Sequence, residues 1–261
     1  MNDNTLNKHG DKTISNTNRF DGKGEIYAKA RPKYALDFFD YLKNELGYNS
    51  SSVFADIGSG TGIFTEQLLN CGYKVFAVEP NDDMRNKAEE KLSLNHNFKS
   101  VLGRDSDFNL PDNSVDCVTA AQAFHWFDSY AFAKECKRVL KSDGKVILIY
   151  NSRDEDAECT KALAKLRRKY NPDFNGFSNG ISEGKCVLFF SGECSVFSAD
   201  NTQVYDRQGY VNRVLSSSYS LKKDDERYPQ YLDDINKIFD DFSENGFIRV
   251  PVHTVAYIGE M

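Results

Sequence analysis

The residues best spaced for chemistry lie in one stretch, Val53-Phe54-Ala55-Asp56-Ile57-Gly58-Ser59-Gly60-Thr61-Gly62. It reads as a buried strand that ends near an acid, then glycines at alternate positions, then the start of a helix. Glycine lets a ligand approach the main chain closely, and a helix start offers unpaired N–H groups. Open α/β sheets bind ligands at the carboxyl ends of their strands, beside the point where strand order reverses. Dinucleotide sites use G-x-G-x-x-G, which seats a pyrophosphate on the helix start. From Gly58 the spacing here is G-x-G-x-G, and Ile63 stands where the third glycine would be. Asp56, two residues before Gly58, would repel a pyrophosphate and favour a cationic amino group.

The following apolar run ends Phe76-Ala77-Val78-Glu79-Pro80. A carboxylate there, about 20 residues past a glycine loop, accepts hydrogen bonds from ribose hydroxyls in nucleoside-binding α/β folds. A nucleoside with a cationic amino group fits both acids, and S-adenosylmethionine is such a ligand. Among the histidines only His125 lies inside a chemical stretch, Gln122-Ala123-Phe124-His125-Trp126-Phe127. It is the candidate general base, with a purely structural role as the alternative. Phe124, Trp126 and Phe127 offer a dry wall beside a sulfonium, or simply core packing. The six cysteines contain no C-x-x-C pair and no zinc-type Cys/His spacing, so neither a metal site nor a disulfide framework is expected.

These residues need elements to position them. Short apolar runs alternate with amphipathic ones: strands at 53–57, 74–79, 98–102, 115–121 and 145–151, with helices at 61–70, 82–94, 129–140 and 154–170. A helix also follows Pro32 and stops at Gly47. The alternation implies βαβ units and a mostly parallel sheet covered on both faces. After Tyr170 it breaks. Residues 171–185 are glycine-bearing and loop-like, Val187–Phe190 and Cys194–Phe197 look β-like, and Arg207–Leu215 looks helical. A helix at Gln230–Asn245 and a strand at Ile248–Ile258 close the chain.

Asp56–Gly62 resembles the cofactor-binding loop of class I S-adenosylmethionine-dependent methyltransferases, and Val78-Glu79-Pro80 resembles their ribose-binding strand end. Leu110-Pro111-Asp112-Asn113-Ser114-Val115-Asp116 and Ala120–Phe127 are similar to the "LP-x-x-S-x-D" and "AQAFHWF" blocks of one small-molecule branch. Phe20-Asp21-Gly22 and Tyr27–Pro32 resemble that branch's upstream segment, so the likeness covers about residues 20–150. It implies a Rossmann-like, doubly wound α/β fold, with a seven-stranded, mostly parallel sheet and an antiparallel last strand. Asp56, Gly58 and Gly60 would border the methionyl part of the cofactor and Glu79 would hold the ribose, with Ser59, Gly62 and Pro80 also cofactor-binding. Asn81 and Met84 would flank ribose and adenine, Asp105 and Ser106 the adenine, and Ala121 and Gln122 the cofactor beside the acceptor. Gln122 and His125 are the catalytic candidates, and Tyr27 and Arg31 would cover the cofactor.

The domain reading is an arm over residues 1–18 and one methyltransferase domain over 19–261. Its core is 50–151 plus a closing strand at 247–259, and a cap or insertion spans about 171–245. The expected activity is methyl transfer to an O, N or S atom of a small molecule, leaving S-adenosylhomocysteine. The rivals are an inactive cofactor-binding module and an NAD-dependent oxidoreductase. With 33 Lys+Arg against 39 Asp+Glu, the net charge of −6 argues against nucleic-acid binding. The basic cluster Lys165, Arg167, Arg168 and Lys169 reads as a solvated helix face. Tyr219, Tyr228 and Tyr231 are candidates to line the acceptor pocket. The mean hydropathy is −0.58, and the longest apolar run, Val146–Tyr150, is far below the roughly 20 residues of a membrane span, so a cytoplasmic location is expected.

Overall fold

The computed structural model describes residues 32–177, 183–217 and 219–261. The arm at 1–18, Tyr27 and Arg31 lie outside the described residues. The described residues start with helix α1 (Leu36–Asn44), then alternate β1 (Val53–Ile57), α2 (Ile63–Asn70), β2 (Lys74–Val78), α3 (Asp82–Leu92) and β3 (Phe98–Val101). It continues with β4 (Val115–Ala121), a 3-10 turn (Phe124–Trp126), α4 (Ser129–Val139) and β5 (Leu140–Arg153). Then come α5 (Glu158–Tyr170), α6 (Glu183–Phe189), β6 (Ser195–Asp200), β7 (Gln203–Tyr205), α7 (Arg207–Leu215) and α8 (Tyr228–Phe242). The chain ends with β8 (Ser243–Glu244), β9 (Phe247–Val250) and β10 (Val252–Gly259).

Seven strands form the main sheet in the order β3-β2-β1-β4-β5-β10-β6. The β1–β2, β1–β4, β2–β3 and β4–β5 pairings are parallel, and β10 runs antiparallel to both β5 and β6. This is the expected Rossmann-like α/β arrangement with its antiparallel last strand. Strand order reverses between β1 and β4, so a crevice opens at their carboxyl ends.

Strand alternation assigns the two faces. Phe54, Val75, Cys117, Ile147, Ile149, Ala256 and Ile258 pack with Phe38, Phe39, Leu42, Phe64, Leu68 and Leu92 of α1, α2 and α3. The intervening Ala55, Ile57, Val78, Val118, Val146 and Leu148 pack with Phe132, Cys136 and Val139 of α4 and with Cys186 of α6. Period two on a strand and 3.6 on a helix make this sorting automatic once the sheet is covered on both sides. A third apolar cluster joins α5, α7, α8 and β9 through Leu163, Tyr210, Val214, Tyr231, Ile235, Phe239 and Ile248.

The second half corrects several expectations. Val187–Phe190 is not a strand, because Val187–Phe189 end α6, where Cys186 and Phe190, four apart, are both buried. A short apolar run cannot by itself separate strand from buried helix. The segment 171–245 is not one cap either, since β6 returns to the main sheet beside β10. The expected strand Ile248–Ile258 is split at Pro251. β9 pairs with β7 and β8 in a separate three-stranded sheet, whereas β10 joins the main one. Proline has no N–H to give a ladder, so the chain changes sheets there. Arg167 is buried rather than solvated, unlike the exposed Lys165, Arg168 and Lys169.

Candidate active site

The loop after β1 is shaped by its glycines. Gly58, Gly60 and Gly62 have φ of 69°, 57° and 77°, the left-handed region that other residues enter at a cost. Gly58 and Ser59 both donate their N–H to Val78 O, at 2.8 and 3.2 Å, which ties the loop to the end of β2. A Cβ on Gly58 would stand 2.9 Å from Ala123 Cβ and 3.2 Å from Phe127 Cζ, so the turn after β4 packs directly on this glycine.

Glu79 joins the loops that follow β1 and β2. Its Oε2 accepts the Gly60 N–H and its Oε1 the Asn81 N–H, both at 2.9 Å. Burial raises its pKa, and those two N–H groups oppose the rise. Asn81 caps α3, its Oδ1 accepting the Met84 N–H at 3.0 Å.

These elements surround a cavity of about 740 Å³ at the carboxyl ends of β1, β2 and β4, inside the range of ~300–1,000 Å³ usual for ligand sites. Of the residues expected from the sequence, Gly58, Ser59, Gly60, Glu79, Pro80, Asn81, Met84, Asp105, Ala121 and Gln122 line it. Trp126 and Phe127 also line it, whereas Phe124 is fully buried and packs edge-on to Phe189.

Several expected residues stand elsewhere. Asp56 is fully buried and outside the wall, its carboxylate accepting from Thr65 Oγ1 at 2.6 Å and Thr119 Oγ1 at 3.2 Å. Burial pushes its pKa up to about 7. Its side chain is therefore the joint between β1, α2 and β4, one layer behind the ligand space. Gly62 is also outside the wall. A Cβ there would meet Leu92 Cδ1 at 2.7 Å, so this glycine serves the packing of α2 on α3. Ser106 is exposed and off the wall, which takes Asp107 and Asn109 instead, because the chain reverses at an Arg104–Asp107 bridge. His125, the candidate base, does not line the cavity. Its ring lies 4.7 Å from that of Trp126 and 6.3 Å from that of Tyr150, centroid to centroid. A 3-10 turn points successive side chains in different directions, so neighbours in sequence separate in space.

Tyr219, Tyr228 and Tyr231, the candidates for an acceptor pocket, are not in the wall of this cavity. Tyr231 is fully buried, and its hydroxyl accepts from Arg167 Nη1 at 2.8 Å. Among the described residues after Tyr170, Arg213 of α7 is the one in the wall. Tyr34 and Asn151 were missed as well. Gln67 pins the Tyr34 backbone by two amide contacts of 2.9 Å, and Gln122 Nε2 donates to Asn151 O at 3.0 Å. Gln122 itself has φ of 54°, a strained value for a side-chain-bearing residue and a frequent mark of functional turns. No periodicity signals such contacts, because they join segments far apart in sequence.

The wall suits an adenosyl sulfonium. Thr61 Oγ1 is buried in it without a hydrogen-bond partner among the described residues, a position suited to a polar ligand atom. Glu79 and, behind it, Asp56 are carboxyls that burial holds above their usual pKa, and a bound cation would offset that cost. Among the described residues, no group of His, Cys, Asp and Glu is arranged to hold a metal ion. No helix among them is long and apolar enough to cross a membrane.

Known proteins point the same way. A methyltransferase-domain family matches residues 55–148. An uncharacterized methyltransferase-like protein of Schizosaccharomyces pombe is 32% identical over 246 residues, covering 90% of this chain and 92% of that one. An uncharacterized methyltransferase of Mycobacterium tuberculosis is 33% identical over 140 residues, 54% of this chain and 55% of its own length. Among solved structures, a candidate type II methyltransferase from Anaeromyxobacter dehalogenans superposes with a TM-score of 0.68 at 19% identity, over 88% of this chain and 97% of its own. That likeness speaks to the fold alone. With the near full-length relative, the glycine loop and the sheet order in agreement, the chain belongs to the class I S-adenosylmethionine-dependent methyltransferases.

Proposed function

We propose that the cavity binds S-adenosylmethionine and that the enzyme transfers its methyl group to an O, N or S atom of a small molecule. The observation that carries this reading is Glu79, buried in the wall and clamped between the Gly60 and Asn81 N–H groups. Its remaining lone pairs are available to ribose hydroxyls, with Met84 and the 102–109 segment beside the base. Thr61 Oγ1 and the Gly58–Gly60 backbone serve the methionyl end.

The bound cofactor supplies an activated methyl on a sulfonium. What the chain adds is position and dryness. Trp126 and Phe127 contribute aromatic surface to the wall, and an aromatic face set over a positive charge is worth ~0.5–2 kcal/mol. Gln122, held by its bond to Asn151 O, orients the acceptor side. Holding an acceptor in line supplies effective molarities of ~10⁵–10⁸ M, so a strong nucleophile needs no base. His125, off the wall, is not assigned that duty. A wall of mixed charge, with Glu79 and Asp105 against Arg104 and Arg213, favours a small acceptor over a polyanion.

The test is calorimetry with S-adenosylmethionine, S-adenosylhomocysteine and NAD, followed by radiolabelled methyl transfer to a panel of thiols, phenols, carboxylates and amines. Binding of the first two ligands and not NAD, with label entering one acceptor class, is the expected result. Binding of NAD alone would restore the oxidoreductase rival. Cofactor binding with no transfer to any of the panel would favour the inactive module.

A further inference from the structure

The far wall of the cavity is a loop with almost no regular structure of its own. Residues 102–109 follow β3 and contribute Leu102, Gly103, Arg104, Asp105, Asp107 and Asn109. The loop's internal support is one bridge, in which Arg104 N–H donates to Asp107 O at 2.8 Å and Asp107 N–H to Arg104 O at 3.0 Å, and two exposed contacts of Asn109, whose N–H donates to Asp107 Oδ1 at 3.1 Å and whose Nδ2 donates to Leu102 O at 3.4 Å. Such a segment would be a poor specificity surface unless something outside the cavity fixed it.

Helix α4 does this from behind, at both of its ends. Beside its first turn, the Asp105 carboxylate accepts the N–H of Asp128, the residue that caps α4, at 2.7 Å. Near its last turn, Glu135 Oε2 accepts the Phe108 N–H at 3.0 Å, while the buried Phe108 ring packs on Phe132 at 5.7 Å. Arg138 grips the same carboxylate with two bonds, Nε to Oε1 at 2.8 Å and Nη2 to Oε2 at 2.6 Å. Its third nitrogen, Nη1, reaches Leu110 O and Asp112 Oδ1, each at 2.7 Å. Phe132, Glu135 and Arg138 are spaced at i, i+3 and i+6, so one helix face meets the ring, then the backbone N–H, then the carbonyl. The forked, charge-assisted pair fixes direction as well as distance. Neither Glu135 nor Arg138 lines the cavity.

We propose that Glu135 and Arg138 are positioning residues for nucleobase recognition, holding the 102–109 wall in register without touching the ligand. This rests on the reading that the cavity takes an adenosyl cofactor. The base end is where the pair matters, because Asp105 belongs to the loop it fixes. A carboxylate on that wall accepts from an exocyclic amino group and repels a carbonyl in its place. Looser positioning therefore weakens adenine binding more than hypoxanthine binding.

The experiment measures dissociation constants of S-adenosylhomocysteine and S-inosylhomocysteine by calorimetry. The proteins are the wild type, Glu135→Gln, Arg138→Met, the double variant, and Leu163→Ala as a destabilised control in the remote α5 cluster. All are held well below their Tm. The expected result is a loss of roughly 3–30-fold in S-adenosylhomocysteine affinity for each single variant, with a smaller loss for the inosyl analogue. The double variant loses less than the sum of the single ones, since the two share one carboxylate–guanidinium pair, although Arg138 also holds Leu110 O and Asp112. Arg138→Lys, which keeps the charge but not the fork, falls between wild type and Arg138→Met. Leu163→Ala keeps wild-type affinity for both ligands. Equal losses for the two ligands, additive losses in the double variant, or unchanged binding in both singles would overturn the proposal. Failure of the wild type to bind S-adenosylhomocysteine would instead remove the cofactor reading beneath it.

Discussion

Glu79 uses both carboxylate oxygens on backbone N–H groups, from Gly60 and Asn81, while it lines the cavity. Glu79→Ala therefore removes a charged ligand acceptor and orphans two donors at once. Loss of one hydrogen bond to a charged group is worth ~1.5–3 kcal/mol, so S-adenosylhomocysteine affinity should fall roughly 10- to 150-fold by calorimetry. An unchanged dissociation constant would take Glu79 out of the site. Asp56 offers a different readout. Burial holds its folded pKa at about 7, against an ordinary 3.8. Between those values the folded chain binds more protons than the unfolded one. Its contribution to stability therefore declines as pH rises through that window and is level above it. Asp56→Asn should remove this slope, so its Tm relative to wild type rises from pH 4.5 to pH 7.5 in thermal melts. Parallel melting curves across the range would mean that Asp56 is not held neutral by burial.

At the level of elements, the turn between β1 and α2 separates two roles of glycine. Gly58 and Gly60 both adopt positive φ, which costs a side-chain-bearing residue ~1–2 kcal/mol. Of the two, only at Gly58 does a Cβ collide with protein, at 2.9 Å from Ala123, while at Gly60 nothing among the described residues lies within 4 Å. Gly58→Ala should accordingly lower Tm more than Gly60→Ala, at ~2–4 °C per kcal/mol for a chain of this size. Gly60 lines the cavity, so its methyl enters ligand space. Gly60→Ala should fold and yet bind S-adenosylhomocysteine much more weakly. Thermal melts and calorimetry on the pair check this, and wild-type binding by Gly60→Ala would contradict it.

Across the whole molecule, the α5–α7–α8 cluster is a second core joined to the sheet layers through β9 and β10. At its centre Arg167 is only 3% exposed and donates to neutral groups: Ser220 Oγ at 3.0 Å, Tyr231 Oη at 2.8 Å and Val214 O at 2.7 Å. Burial lowers its pKa, so each of these bonds bears on an expensive charge. Tyr231→Phe should cost ~1.5–3 kcal/mol of stability, seen as a lower Tm. Cofactor affinity should stay at wild type, because the residues proposed for the cofactor come from the sheet core. A fall in cofactor affinity matching the loss of stability would show that the two cores are not separable in this way.

Local chemistry was legible in the residue order. The Asp56–Gly62 turn and the acid at Glu79 each depend on neighbours a few positions away, and alternation of apolar runs dictates a covered parallel sheet. For the same reason the helix at Arg207–Leu215 falls where its periodicity puts it. Side-chain direction was not legible. Asp56 and Gly62 sit in the motif but face protein, and the 3-10 turn separates Trp126 and Phe127 from the buried Phe124 and from His125. Pro251 splits what reads as a single strand, and Val187–Phe189 fold as helix because the face they cover is apolar. Tyr34, Asn151 and Arg213 enter the wall from segments up to 179 positions apart, and Glu135 and Arg138 support it from outside. The sequence by itself determined the sheet, the glycine turn and the acid beside it, because those follow from short-range periodicity and backbone sterics. Which groups face the ligand was decided only by the tertiary structure, since it depends on how distant segments pack and on which side of a turn each side chain leaves.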